Sequence, residues 1–453
     1  MANETVKLAE YAAGLRYEDL PQDVIQRAKD CITDAVATNF YGNALPWSQM
    51  IIAYAQRSGP GGTSRILGSS GPTVQAPAAA LANGALAHAF ELDTLTKPGT
   101  GCHPGATVFV PALAVAQSQE KGNIGGRDLI TAFVAGAEVM IRIGHATLHT
   151  NEKRGFHAPG TTGPFGAAVA AGRLLNLDVN KMVNALGIAG SLSSGLLEFA
   201  KSGTGAMVKR LHIGRAAESG VMAASLARDG YTGPVSVLEG KAGFLKAFCD
   251  KSDSDALTRG LGHKFETLIT LIKQYACHIT CQTPVQALEE LRLEHGFGPD
   301  DIEMIVIAGI ERMVLVNNIP EPADRMMAQY SVPFCAALSM YRNIRDPDSF
   351  DENVAKNQEV LTLCKRIEVV LAPGPEEYGS LACTVTVRLK KGIEVSRRVA
   401  EFKGTPGNPL IREELKRKFL FLTSRFKNME ILFDRLQNLE NEQELQWIGV
   451  PLA

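Results

Sequence analysis

The chain is short of features that would send it out of the cell, into a membrane or onto nucleic acid. Its first residues, Met1-Ala2-Asn3-Glu4-Thr5, show no basic and apolar leader, so no secretion signal is expected. The longest apolar runs, such as residues 107–117 with Pro111 inside, are too short to cross a bilayer. Forty-six basic against 48 acidic residues leave a net charge of −2, with no Lys/Arg-rich block, which excludes nucleic-acid binding driven by backbone charge. Nucleotide signatures are missing too: no Gly-x4-Gly-Lys loop, and no Gly-x-Gly-x-x-Gly after a strand. A Gly-x-Ser-x-Gly nucleophile elbow is also absent. Eight scattered cysteines read as reduced thiols, and the expected location is the cytoplasm.

What remains is an ordinary globular composition, 45% hydrophobic and 21% charged, over 453 residues, a length of one to three domains. To about residue 265 the pattern is helix after helix. Val24, Ile25, Ala28, Cys31, Ile32 and Ala35 form one stripe at helical spacing. Residues 76–90, 126–143, 165–175, 179–192 and 215–228 continue it, rich in small residues that allow close helix packing. After His263 the texture changes to β-branched runs at 265–273, 301–308, 367–371 and 383–390. Lys391-Gly392 then makes a hairpin with 393–399. Helices are expected between them at 284–295 and 326–341. Residues 409–439 return to helix, too short to fold alone and so expected to pack back on the first unit. The expected fold is mainly α: an all-helical domain from 1–265 with 401–453, and a smaller inserted α+β domain over 266–400.

Four polar clusters interrupt this apolar fabric. In the first, an Ala-rich helix is expected to end in His88, Glu91 and Asp93, with His88 and Glu91 on one face; a Gly/Thr loop then leads to His103-Pro104-Gly105. Polar groups between two apolar helices are costly unless they pair or line a cavity. The second cluster, Arg154-Gly-Phe-His157-Ala-Pro-Gly160, runs into a helix N-terminus, a position suited to anions. The third, Ser202-Gly-Thr-Gly-Ala-Met-Val-Lys209-Arg210-Leu-His212, places three basic groups after a small-residue loop, where a carboxylate would fit. The fourth, Lys273-Gln-Tyr275-Ala-Cys277-His278-Ile-Thr-Cys281-Gln282, lies at the change of texture and reads as a second wall of a cleft. Its Cys and His spacing is not that of a zinc pair and no second pair lies nearby, so no metal site is expected.

Together His103, His157, Lys209, Lys273 and His278 with Glu91 and Asp93 make a set of acids, bases and cations without a cofactor motif. Such a set suits removal of a proton next to a carboxylate, with fixed cations (Lys209, Lys273 and Arg154) stabilising the charge that builds up. Elimination, epimerisation and decarboxylation share this equipment.

At these residues the sequence resembles the MmgE/PrpD family, which includes 2-methylcitrate dehydratase, cis-aconitate decarboxylase and iminodisuccinate epimerase. The resemblance covers nearly the whole chain. It is most specific at His88-Ala-Phe-Glu-Leu-Asp93 with His103-Pro104-Gly105, at Lys209-Arg-Leu-His212-Ile-Gly214, at Gly230-Tyr-Thr-Gly-Pro234 with Leu238-Glu-Gly240, and at Lys273-x-Tyr275. It implies an all-helical domain made from both chain ends with the α+β unit over 266–400 inserted as a lid domain, a homodimer, and cofactor-free catalysis in the cleft. It also implies active-site positions for Asp93, His103, His157, Lys209 and Lys273, with Glu91 and His278 close by; Arg154 and His212 complete the candidate binding residues. The chain departs from the family at Asp93-Thr94, where many members have Asp-Asp, and at Gln282, where some have His. It departs again at Phe334, where the decarboxylases place a tyrosine in the helix beginning near Tyr330. The expected activity is therefore dehydration of a hydroxy-polycarboxylate such as 2-methylcitrate, with His103 or Asp93 as base, His157 as acid and the two lysines as a carboxylate clamp. Epimerisation of an iminodisuccinate-like acid and decarboxylation of a cis-aconitate-like acid are the alternatives.

Overall fold

The structure is a computed structural model describing residues 3–96, 100–120, 124–200, 206–374 and 381–450. Ser202–Gly205 of the third cluster and Lys97–Gly99 of the first loop lie outside the described residues.

Helices dominate, because the long stretches rich in Ala and Leu favour them, while the interspersed glycines let them pack closely and bury on several sides at once. Ala158–Leu174 packs between Gly126–Ala146 and Val208–Arg228, and Val208–Arg228 lies in turn along Ala76–Ala87. That last crossing is unusually close. A Cβ added to Gly84 would stand 3.0 Å from Gly214 Cα, and one added to Gly214 would stand 2.4 Å from the Leu81 carbonyl oxygen. Any larger residue would push apart the two helices whose ends carry His88 and Lys209.

Gly126–Ala146 is long and apolar enough to span a bilayer by length and composition, a feature the run-by-run reading missed. Here it is a core helix, 94% of its most apolar window being buried. It also encloses a Glu138–Arg142 pair at 3.5 Å, with Glu138 accepting two 2.7 Å bonds from Thr267.

The mixed unit is built on a four-stranded sheet in the order Ile367–Leu371, Ile302–Gly309, Cys383–Leu389, Glu394–Val399. The first pair is parallel, with Ile305 opposite Ile367, and the other two are antiparallel, with Val385 facing Ile307 and Arg397. Gln282–His295 covers this sheet, and Val332–Tyr341 packs against both that helix and the edge strand. The run expected as a strand at 265–273 is instead a 3₁₀ turn, Glu266–Ile269, and a two-residue strand, Thr270–Leu271. That short strand pairs antiparallel with Leu95–Thr96. It joins the loop after Asp93 directly to the approach to Lys273. At the C-terminal end, Arg412–Leu422 and Met429–Gln437 both pack on Gln22–Asn43. Lys418 to Asp34 at 2.5 Å fastens the first of them, and Lys29 to Glu440 at 3.0 Å fastens the turn that follows the second.

Candidate active site

Three breaks in helical order bring the polar clusters to one cavity. The Ala-rich helix stops at Ala87 rather than running on to Asp93, with His88 as its C-cap. The expected His88–Glu91 face therefore does not exist. The chain turns, and His88 pairs with Asp93 instead, Nδ1 lying 3.0 Å from each carboxylate oxygen. The next break is in the segment expected as one helix over 326–341. It divides into Arg325–Ala328 and Val332–Tyr341, because Ser331 caps the second helix through Phe334 N at 3.0 Å and Pro333 has no N–H to continue the first. Tyr330 is left in the gap and faces the cavity. Finally, Val208–Arg228 begins earlier than expected, placing Lys209 and Arg210 in its first turn rather than before it.

The resulting cavity holds about 190 Å³ and is lined by Glu91, Thr96, His103, His157, Lys209, Lys273, His278, Thr280, Arg312 and Tyr330, with apolar walls from Leu95, Phe199 and Ile279. This is the size of a small-metabolite site rather than a drug-sized one.

On one wall Asp93 bridges two imidazoles, accepting from His88 and from His103 Nδ1 at 2.8 Å. Burial opposes its charge, but the two rings outweigh that and hold Asp93 well below the ordinary carboxylate range. Burial pushes His88 down to about 3 despite Asp93, so this ring stays neutral and donates its Nδ1–H. His103 spends Nδ1 the same way, which leaves its Nε2 as the lone pair available to the cavity. This is the arrangement of a general base oriented by a carboxylate.

Glu91, which lines the same cavity, binds two lysines. Lys209 Nζ donates to Oε1 and Lys273 Nζ to Oε2, the latter at 3.0 Å. Tyr330 Oη donates to Oε1 at 3.0 Å, and Arg210 stands 3.8 Å away. Burial raises Glu91, but the lysines overcome it and keep it ionised. Burial lowers Lys209 to about 8, with Glu91 pulling the other way; for Lys273 the carboxylates Glu91 and Asp93 outweigh burial and raise it. Each ammonium has three donors and gives one to Glu91, so both keep donors for a bound anion. With Glu91 and Asp93 negative and Lys209, Lys273 and Arg210 positive, these five groups together carry an excess of one positive charge.

His157 lines the cavity with Nδ1 3.1 Å from His212 Nδ1, and burial followed by Lys209 holds it well below its usual range. His212 backs it rather than lining the cavity. His278 stacks on Tyr330 with centroids 5.0 Å apart and bonds Thr280 Oγ1 at 2.8 Å through Nδ1. Its pKa is lowered well below the usual value by burial, then by Arg312. Gln282, the departure from the family's histidine, ties the Lys273 segment: it accepts from Gln274 N and Tyr275 N at 3.2 Å and donates to the carbonyls of Tyr275 and Cys277.

Arg154 is the candidate that the fold leaves out. Its guanidinium turns to the Ala247 carbonyl at 2.9 Å and to Asp250 at 3.6 Å, outside the cavity. Arg312, which the sequence reading passed over, supplies the cation there; it stands 3.8 Å from Glu152, which also takes His149 at 2.9 Å. Tyr330 was missed as well, although Ser331 and Pro333 together signal a helix start just after it. Phe334 is buried in the core and does not line the cavity. Two groups of side chains could ligate a metal among the described residues: His88 with Asp93 and His103, and Cys277 with Cys281 and Cys335. The first already uses its facing nitrogens in hydrogen bonds to Asp93.

The MmgE/PrpD N-terminal domain profile matches residues 6–256 and the MmgE/PrpD C-terminal domain profile matches 275–435. A cis-aconitate decarboxylase-like protein, oryM, of Aspergillus oryzae is 29% identical over 97% of this chain and 93% of its own. The cis-aconitate decarboxylase of Aspergillus terreus is 29% identical over 97% and 95%. That of Homo sapiens is 27% identical over 96% and 90%.

Proposed function

Since the chain belongs to the MmgE/PrpD family, we propose that it is a cofactor-independent lyase for a small polycarboxylate, working through a carbanion stabilised by the neighbouring carboxylate. One observation carries this reading: His103, oriented by Asp93, lines the same small cavity as two lysines that share Glu91. The lysines, with Arg312, bind substrate carboxylates and hold the negative charge of the enediolate-like transition state. His103 Nε2 takes the proton. His157, buried and uncharged, is a weak acid, so the proton for a departing hydroxide is assigned to Lys209, whose pKa of about 8 is close to the working range. His157 then positions the substrate. The finer reading is dehydration of a citrate-like hydroxy acid, 2-methylcitrate included.

Decarboxylation of a cis-aconitate-like acid is the second reading, favoured by the names of the relatives that align over nearly the whole chain. The same cations would stabilise the carbanion left by CO2, and protonated His103 would quench it. Incubating the chain with citrate, 2-methylcitrate, isocitrate and cis-aconitate separates the two. A new conjugated double bond without CO2 marks dehydration, and CO2 release marks decarboxylation. Deuterium exchange in D2O with neither product points to an epimerase. Inertness toward every di- and tricarboxylate sinks the lyase reading.

The proposal includes a homodimer. Val208, Leu211, Met222 and Leu226 expose an apolar stripe along one helix, interrupted by the pair Arg215–Glu218, whose charges are self-complementary about a two-fold axis. Light scattering on the parent and on Leu211→Asp tests it, with a dimer and a monomer expected. A cytoplasmic location is supported by eight unpaired, buried cysteines, which suit a reducing compartment.

A further inference from the structure

Behind the wall formed by His278 and Tyr330, three thiols meet that the reaction above does not use. Cys277 and Cys281 flank the turn that carries His278, and Cys335 comes from the first turn of Val332–Tyr341. Their sulfurs all lie within 4.8 Å of one another, and all three residues are fully buried. No sequence spacing announces this group, because its third member is brought in by the fold.

We propose that Cys277, Cys281 and Cys335 form a binding site for one soft, thiophilic metal ion of the Zn(II) and Cd(II) class. Metal–thiolate bonds of about 2.3 Å set sulfurs around a shared ion roughly 4 Å apart, so the triad needs only a small contraction to close. The donor set is all sulfur with no carboxylate, which selects against Mg(II) and Ca(II). Competing bonds are weak. Cys281 and Cys335 point their thiols at the Gln329 carbonyl at 3.9 and 3.8 Å, and Cys335 reaches Ala328 O at 3.3 Å. Cys277 already receives an N–H from Gln282 Nε2 at 3.4 Å, a donor suited to a thiolate. Binding a divalent ion releases three thiol protons and leaves one net negative charge. Lys273, whose ammonium acts electrostatically on Cys277, lies near enough to balance it.

The ion would add a coordinate cross-link between two segments now held by ring stacking, core packing and the hydrogen bonds His278 N to Gln329 O at 2.8 Å and Gln329 Nε2 to Ala276 O at 2.9 Å. It would thereby fix the His278–Tyr330 wall and stabilise the native chain.

The test uses the full chain, reduced and stripped of metal, titrated with Cd(II). Expected are a thiolate-to-metal charge-transfer band that saturates at one ion per chain, release of previously loaded Zn(II) by Cd(II), and a higher Tm. Cys335→Ser and Cys281→Ser should each lose the tight band, whereas Cys364→Ser, a buried thiol elsewhere, should keep it. X-ray absorption of the Cd(II)-loaded parent counts ligands without any variant, and three sulfurs at one ion are expected. A band that is absent, that survives both substitutions, or that arises from an ion with two sulfurs or fewer overturns the proposal and leaves the thiols as core packing.

Discussion

Asp93 Oδ2 stands 2.8 Å from His103 Nδ1, and this bond decides which nitrogen of the ring the substrate meets. An ionised carboxylate keeps the proton on Nδ1 and the lone pair on Nε2. Asp93→Asn can present its amide N–H to the ring and reverse that tautomer. The expected result is a fall in kcat of about 10³–10⁴-fold with KM changed little. Steady-state kinetics on whichever polycarboxylate is turned over checks it, and a rate within tenfold of the parent removes His103 as the base.

The pH profile should carry the signature of Lys209. Burial lowers its pKa to about 8, so it is charged below that pH and loses its proton above it. Clamping a carboxylate and protonating a leaving group both need the charged form. Hence kcat/KM should decline as pH rises through about 8. Lys209→Arg, charged throughout, should abolish that alkaline limb while lowering the rate, because guanidinium is a poor proton donor. An unchanged limb in the variant would assign it to another group.

The two arginines make a controlled comparison. Arg312 lines the cavity, whereas Arg154 is held outside by Ala247 and Asp250. Arg312→Ala should raise KM about tenfold or more, in line with ~1.5–3 kcal/mol for a hydrogen bond to a charged group. Arg154→Ala should leave KM within about twofold. The opposite ranking would restore Arg154 as a substrate-binding cation, as expected from the sequence.

That misplacement shows what the sequence could and could not say. The helices and the main strands were legible because their patterns are local: period 3.6 over 179–191, strict alternation over 383–389. The residue types of the site were legible too, since acids, bases and cations are conspicuous in so apolar a chain. Direction was not. Arg154 and Arg312 look alike as letters, and only the packing of their elements decides which one reaches the cavity. His88 was read at helical spacing with Glu91, but the helix ends at Ala87 and the turn swaps that partner for Asp93. Tyr330 was hidden inside a run read as one helix, and the thiol triad depends on a contact far apart in sequence.

Lys418, at the other end of the chain from the cavity, should prove a positioning residue. Its ammonium donates to Asp34 at 2.5 Å and to the Leu92 carbonyl at 3.0 Å. Leu92 lies between Glu91 and Asp93, so this one bond from the C-terminal helix fixes the backbone on which both site carboxylates stand. Lys418→Met removes that anchor and leaves Asp34, whose pKa burial already raises, without its cation, so stability falls as the buried carboxyl must take up a proton or stay charged unpaired. The double variant Asp34→Asn with Lys418→Met removes the stranded charge and should recover most of the stability in a denaturant titration. It cannot restore the bond to Leu92. The expected pattern is therefore a double variant that is nearly as stable as the parent yet still about tenfold slower in kcat, with KM little changed. Lys418→Arg, which can donate to both acceptors, should rescue the rate. If the double variant regains full activity along with its stability, Lys418 serves the fold alone.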